Sequence, residues 1–133
     1  MFLLKRAFTN AGVPARLHFV SDGQEAIDYL GGQGQFSNRS EHPLPDLLIL
    51  DLKMPRLNGF DVLTWVRQKP GLRRLLVTVL TSSNQPQDIN KAYDLGANSY
   101  LVKPHNNSQL SELANRVQRY WLEMNECPAS LAA

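Results

Sequence analysis

At 133 residues the chain fits one domain that can bury its own core, and its formal net charge of +2, with basic residues dispersed, leaves no electrostatic footprint for nucleic acid. A single cysteine, Cys127, excludes an internal disulfide framework and suits a reducing compartment. Phe2-Leu3-Leu4 is too short to cross a membrane and is followed at once by Lys5-Arg6, so a cytoplasmic protein without a membrane partner is expected.

The chain opens on a helical pattern, with Phe2, Leu3, Leu4, Ala7, Phe8 and Ala11 on one side and Gly12 placed to end it. Arg16-Leu17-His18-Phe19-Val20 alternates like a strand, with His18 on its polar side. Ser21-Asp22-Gly23 then supplies a turn and an N-cap for a helix carrying Ala26, Ile27 and Leu30. Residues 31–45 are rich in Gly, Ser, Asn and Pro and read as a surface loop. Their glycines make no phosphate cradle, because no Gly-Lys-Ser/Thr follows.

Leu47-Leu48-Ile49-Leu50 is a run of apolar residues with no polar alternation, the pattern of a strand buried on both faces of a parallel sheet. It ends on Asp51, and Pro55 prevents the ladder from continuing. Asn58 and Asp61 form a box-like start for a helix with Val62, Leu63 and Val66 inward, closed by Pro70-Gly71. Leu75 to Leu80 is a second apolar strand closing on Thr81-Ser82-Ser83. A helix from about Pro86 places Ile89, Ala92 and Tyr93 inward, with Gly96 just beyond its end. A short strand, Ser99-Tyr100-Leu101-Val102, runs into Lys103-Pro104, and a last helix from about Ser108 carries Leu110, Leu113, Val117, Trp121 and Met124 on one stripe. Strict alternation of helix and strand predicts a three-layer α/β domain, a doubly wound parallel sheet covered on both faces. The domain is expected over residues 1–126, with a small tail at 127–133.

Three successive strands finish on Asp51, Thr81 and Lys103. In a parallel sheet those ends share one edge, the edge where open α/β sheets bind ligands. A carboxylate, a hydroxyl and an ammonium brought together suit a phosphoryl group on Asp51. The carboxylate is a competent acceptor, and the other two groups can hold the new oxygens. Each residue also has a plain reading, as a turn cap or a solvated charge; their convergence is what favours chemistry.

The set Leu47-Leu48-Ile49-Leu50-Asp51-Leu52-Lys53-Met54-Pro55 with Gly59, Val79-Leu80-Thr81-Ser82 and Tyr100-Leu101-Val102-Lys103-Pro104 resembles the receiver domains of bacterial response regulators. Ser21-Asp22-Gly23-Gln24-Glu25-Ala26 and Leu95-Gly96-Ala97 extend the resemblance over nearly the whole chain. The long loop and the ending Tyr120-Trp121-Leu122 are similar to single-domain, chemotaxis-regulator-like proteins that partner phytochrome-type sensor kinases. The resemblance implies the flavodoxin-like receiver fold. It makes Asp51 the phosphoacceptor in a phosphorelay, Thr81 the switch hydroxyl, Lys103 the phosphate-pairing lysine and Tyr100 the switch aromatic. It also implies a cis Lys103-Pro104 bond and a tuning of dephosphorylation by the side chains of Lys53 and Ser83.

Implied partners are a sensor histidine kinase or phosphotransfer protein. Downstream, a protein target or a second copy would dock on the face made by the last helix, strand and helix, where Arg116, Arg119, Tyr120 and Leu122 lie. Catalysis would be limited to self-phosphorylation and autodephosphorylation. The family's Mg2+ is held by an acidic pair ending its first strand, by the acceptor aspartate and by a backbone carbonyl, here that of Lys53. The chain begins inside the helix that follows that strand, so the strand and the acidic pair are absent. Asp22 fits a helix cap rather than a substitute ligand. Mg2+ is therefore expected to bind weakly or not at all, and a gap is expected between the Arg16–Val20 strand and the central one. Either the sequence starts at an internal methionine of a longer protein or the receiver is non-standard. The alternative function is a phosphorylation-independent pseudo-receiver that binds partners. A haloacid-dehalogenase-type hydrolase expects a carboxylate two residues after its nucleophile, where Lys53 stands.

Overall fold

The computed structural model of the chain describes residues 17–19, 22–39, 44–45, 47–53, 57–117 and 119–120. The opening helical pattern, Met54-Pro55, Trp121, Leu122, Met124 and the tail lie outside the described residues, as do the side chains of the first strand. The elements run β1 (Leu17–Phe19), α1 (Gly23–Gly31), β2 (Leu47–Leu50), α2 (Gly59–Gln68), β3 (Leu76–Thr81), α3 (Pro86–Asp94), β4 (Ser99–Val102) and α4 (Asn107–Val117). All neighbouring strands pair in parallel, in the order β1-β2-β3-β4.

The sheet order decides where the helices go. Right-handed crossovers that each step one strand in the same direction leave their helices on one face. Accordingly Ala26 and Leu30 of α1, Val62, Leu63 and Val66 of α2, and Ala92 of α3 join a single core cluster with Leu48, Leu50, Val77 and Val79. Leu47, Ile49 and Leu80 alternate to the opposite face and are equally buried. There Leu110, Ala114 and Val117 of α4 are buried, and residues of α4 share a groove with Ser99 and Leu101. Helices thus cover both faces, as the alternation predicts.

The helix starts follow the sequence closely. Asp22 Oδ1 accepts from the backbone N–H groups of Gln24 (2.8 Å) and Glu25 (3.2 Å), so it caps α1 as expected. Asn58 and Asp61 form a complete capping box, with bonds of 3.0 and 3.2 Å. A Cβ on Gly23 would lie 1.9 Å from the Leu57 carbonyl oxygen, so only glycine lets α1 start against the loop that follows β2. The 31–45 stretch is more organised than a bare surface loop. It holds a 3-10 turn at Gly34–Phe36, and Arg39 donates to the carbonyls of Tyr29 (2.7 Å) and Leu30 (2.8 Å) at the end of α1.

Three expectations need correction. The first is the gap. β1 pairs directly with β2, Leu17 opposite Leu47 and Phe19 opposite Ile49, so β2 has a partner on both edges. Buried ladder groups must be satisfied, and direct pairing satisfies them. The second is Tyr93, which is 49% exposed. The apolar stripe of α3 runs through Ile89 and Ala92, and the next position lies about 100° further round the helix. The third is Lys103-Pro104: among the described residues no peptide bond is cis. Trans is the more stable form even before proline, and the lysine stem reaches its partner from it.

Arg67, in the last turn of α2, ties the far end of the sheet together. Its guanidinium donates to the carbonyls of Gly96 (2.9 Å), Arg73 (3.0 Å) and Leu75 (2.8 Å) and to Asn98 Oδ1 (2.9 Å). The same Asn98 oxygen accepts from the Val77 N–H at 2.8 Å, so one planar fork joins α2, β3 and the turn into β4. Arg67→Ala strips these acceptors of their donor, and the bonds to Gly96 and Leu75 are partly buried. It should lower the unfolding free energy by about 3 kcal/mol in a urea titration.

Candidate functional site

Asp51 follows β2, Thr81 ends β3 and Lys103 follows β4, so parallel pairing brings all three to one edge of the sheet. The Lys103 ammonium donates to Asp51 Oδ2 at 2.6 Å. This bond crosses from the end of β4 over β3 to the end of β2. Asp51 is only 8% exposed, and the ammonium offsets the cost of keeping its carboxylate out of water. Oδ1 accepts from the Lys53 backbone N–H at 3.1 Å, which turns the chain immediately after the acceptor position. The Lys53 residue is exposed.

Gly59 keeps that turn closed. Its N–H donates to the Leu52 carbonyl at 3.1 Å, and a Cβ there would lie 2.4 Å from the Asp51 carbonyl oxygen. No other residue allows the start of α2 to approach the Asp51 backbone so closely.

Thr81 is fully buried, and its hydroxyl finds no hydrogen-bond partner among the described residues. A buried hydroxyl without a partner is a net cost to the fold. It shares a sheet face with Val77 and Val79, and therefore with Tyr100, which lies opposite Val79. The Tyr100 ring packs against the main core cluster, and its hydroxyl donates to the Ser83 carbonyl at 3.0 Å. The ring is thus already seated inward. Burial raises the phenol pKa, as do the charges of Asp88 and Asp51, while the Ser83 side chain opposes the rise.

The Ser83 side chain has two partners in its own loop and the helix that follows. Its hydroxyl donates to Asp88 Oδ2 at 2.6 Å and accepts from the Gln85 N–H at 3.3 Å. Asp88 was not among the residues that sequence reasoning singled out. The available signal was an acidic residue in the first turn of a helix whose N-cap, Gln85, makes no side-chain capping bond.

Magnesium takes near-octahedral oxygen ligands, of which carboxylates are the usual protein share. Both Asp51 oxygens already accept protein donors, one from an ammonium, and no group of three or more His, Cys, Asp or Glu could hold a metal among the described residues. The described donor set does not fit a resident divalent cation.

Comparison with known proteins shows the family. The family model for the response regulator receiver domain matches residues 1–115. The chain belongs to the response regulator receiver family. Response regulator Rcp1 of Synechocystis is 33% identical over 128 residues, 96% of this chain and 85% of that protein. A solved structure of Rcp1 is its Mn(2+)-bound form. The response regulator RPA3017 in red light signalling of R. palustris superposes with a TM-score of 0.88 at 36% identity, covering 97% of this chain and 90% of that one. The phosphorylated cyanobacterial phytochrome response regulator RcpA gives 0.85 at 36% identity, covering 96% and 89%. This receiver therefore has the flavodoxin-like fold of two-component response regulators, and phytochrome response regulators are among the proteins similar to it. No helix among its described residues is long and apolar enough to cross a membrane.

The lone Thr81 hydroxyl generates a prediction about stability. Thr81→Val removes a buried, unpartnered donor while keeping nearly the same shape. It should raise the urea midpoint of the unphosphorylated receiver, worth about 1 kcal/mol, where an ordinary hydrogen-bonded threonine would lose stability.

Proposed function

We propose that this receiver accepts a phosphoryl group on Asp51 from a phosphohistidine of a sensor kinase or phosphotransfer protein, and signals by binding another protein. The observation that carries the reading is the Lys103–Asp51 bond of 2.6 Å, with an unpartnered Thr81 hydroxyl at the end of the strand between them. In the transfer, an Asp51 carboxylate oxygen attacks phosphorus and the P–N bond breaks. The imidazole leaves with the electron pair and takes up a proton. Lys103 then pairs with a phosphoryl oxygen as a point charge, and Thr81 donates to another. Later attack by water on phosphorus returns the carboxylate and inorganic phosphate. Lys53 lies near enough along the chain to influence that step. The protein acts on no external substrate, and its work is done as one cytoplasmic receiver domain over residues 1–126.

The poor fit of the described donors to a divalent cation favours a second reading in one respect. With both Asp51 oxygens engaged and no acidic cluster among the described residues, a phosphorylation-independent binding module has the same fold and the same partner face. Acyl-phosphate treatment followed by intact-mass analysis separates the two. Asp51 should gain one phosphoryl group slowly, with little acceleration by Mg2+ or Mn2+, and Asp51→Asn should gain none. No labelling of the wild-type chain selects the binding module; fast, cation-dependent labelling shows that the cation site is better than the described donors allow.

The output face is the second part of the proposal. α3 packs beside β4 on one face of the sheet and α4 on the other, and β4 is an edge strand with Val102 42% exposed. A groove of about 520 Å³ runs between β4 and α4, lined by Leu101, Leu113, Arg116, Val117 and Tyr120 among others. Arg116 pairs with Glu112 at 2.6 Å, an exposed i,i+4 bond that a partner's carboxylate can replace, and Arg119 is exposed beside it. Phosphate on Asp51 draws Thr81 toward it and alters the surface beneath Tyr100, so the aromatic transmits the change to this face. Tyr100→Ala should abolish phosphorylation-dependent association, read by analytical ultracentrifugation with and without acyl phosphate. Unchanged association in that variant would place the output elsewhere.

A further inference from the structure

The loop between β3 and α3 follows directly on Thr81 and supplies the carbonyl that holds Tyr100. It is four residues long from Ser82 to Gln85, and its shape depends on one hydroxyl. Ser83 Oγ donates to Asp88 Oδ2 at 2.6 Å and accepts the Gln85 N–H at 3.3 Å. On the same residue, the backbone carbonyl accepts from Tyr100 Oη at 3.0 Å. Gln85, the N-cap, makes no side-chain bond to α3, so the loop's side-chain tie to the helix is the Ser83–Asp88 bond. A hydrogen bond to an ionised carboxylate is about twice as strong as a neutral one.

We propose that Asp88 is a positioning residue: through the Ser83 hydroxyl it latches the β3–α3 loop and so holds the Ser83 carbonyl where Tyr100 is seated. The chain of contacts is short. Asp88 fixes the hydroxyl, the hydroxyl fixes the Ser83 backbone through the Gln85 N–H, and the backbone carbonyl fixes the ring. Because Thr81 lies two residues before Ser83, any displacement of Thr81 toward Asp51 must work against this latch. Asp88 thereby sets how readily the switch pair moves. That regulatory meaning rests on Asp51 being the phosphoryl acceptor; the latch itself does not.

The test uses the full chain without any phosphoryl donor, so an inert Asp51 leaves its readouts unchanged. Amide exchange at Gln85 is followed by NMR, with Val79 in the interior of β3 as the reference for global opening. Asp88→Ala should speed Gln85 exchange roughly tenfold or more relative to Val79. Asp88→Asn keeps an oxygen acceptor for the Ser83 hydroxyl and should restore most of the protection. Ser83→Ala removes the hydroxyl through which the latch acts, and the Tyr100 ring resonances should then move toward those of an exposed tyrosine. The latch is overturned if Asp88→Ala leaves Gln85 exchange at the wild-type ratio, if Asp88→Asn fails to rescue it, or if Ser83→Ala leaves the Tyr100 ring resonances where they were.

Discussion

The site depends on one bond, the 2.6 Å contact between Lys103 and Asp51 across the end of β3. It exists because three strands run parallel and end at one level, and it requires each strand to end where it does. A one-residue slip of β4 against β3 would turn Tyr100 and Val102 to the opposite face and withdraw Lys103 from the edge. The features that fix the register therefore lie far from the chemistry. Asn98 bonds Val77 in both directions, its N–H to the Val77 carbonyl at 2.9 Å and its Oδ1 from the Val77 N–H at 2.8 Å. Arg67 locks that corner to α2.

Opposite demands meet at the working edge. Asp51 is desolvated enough that its carboxylate needs a counter-charge, yet it must remain open to an incoming phosphoryl group. A lysine meets both requirements, since its flexible stem can follow the negative charge from carboxylate to phosphate. Thr81 carries the complementary feature, a buried hydroxyl left without a partner among the described residues. The fold gives up stability there and leaves a donor unspent. Thr78, in the interior of the same strand, carries the same cost, so what sets Thr81 apart is its place at the strand end that Asp51 and Lys103 share.

Much of this was legible in the sequence because the signals are local. Four apolar residues in a row mark β2, the Asn58–Asp61 box marks the start of α2, and Asp51, Thr81 and Lys103 each stand at a strand end that composition alone reveals. What was not legible depends on partners distant along the chain. Periodicity tells which face a strand buries but not which strand lies beside it, and so the direct pairing of β1 with β2 was missed. Arg67 and Asn98 are separated by 31 residues, and no short pattern links them. Tyr93 was misplaced because an aromatic beside Ala92 was counted into a stripe that a short helix keeps narrow. The bond of the Ser83 side chain to Asp88 was not legible either, because it is set by the loop's own geometry.

The central claim is that Asp51 is the group that takes the phosphoryl. The most direct test is to expose the chain to phosphorylated histidine-phosphotransfer protein, reduce the acyl phosphate with borohydride, and map the product by tandem mass spectrometry. The account predicts a single modified residue, Asp51 converted to homoserine, with the yield sharply reduced in Lys103→Met. Modification at any other carboxylate, or an unchanged yield in Lys103→Met, would contradict it.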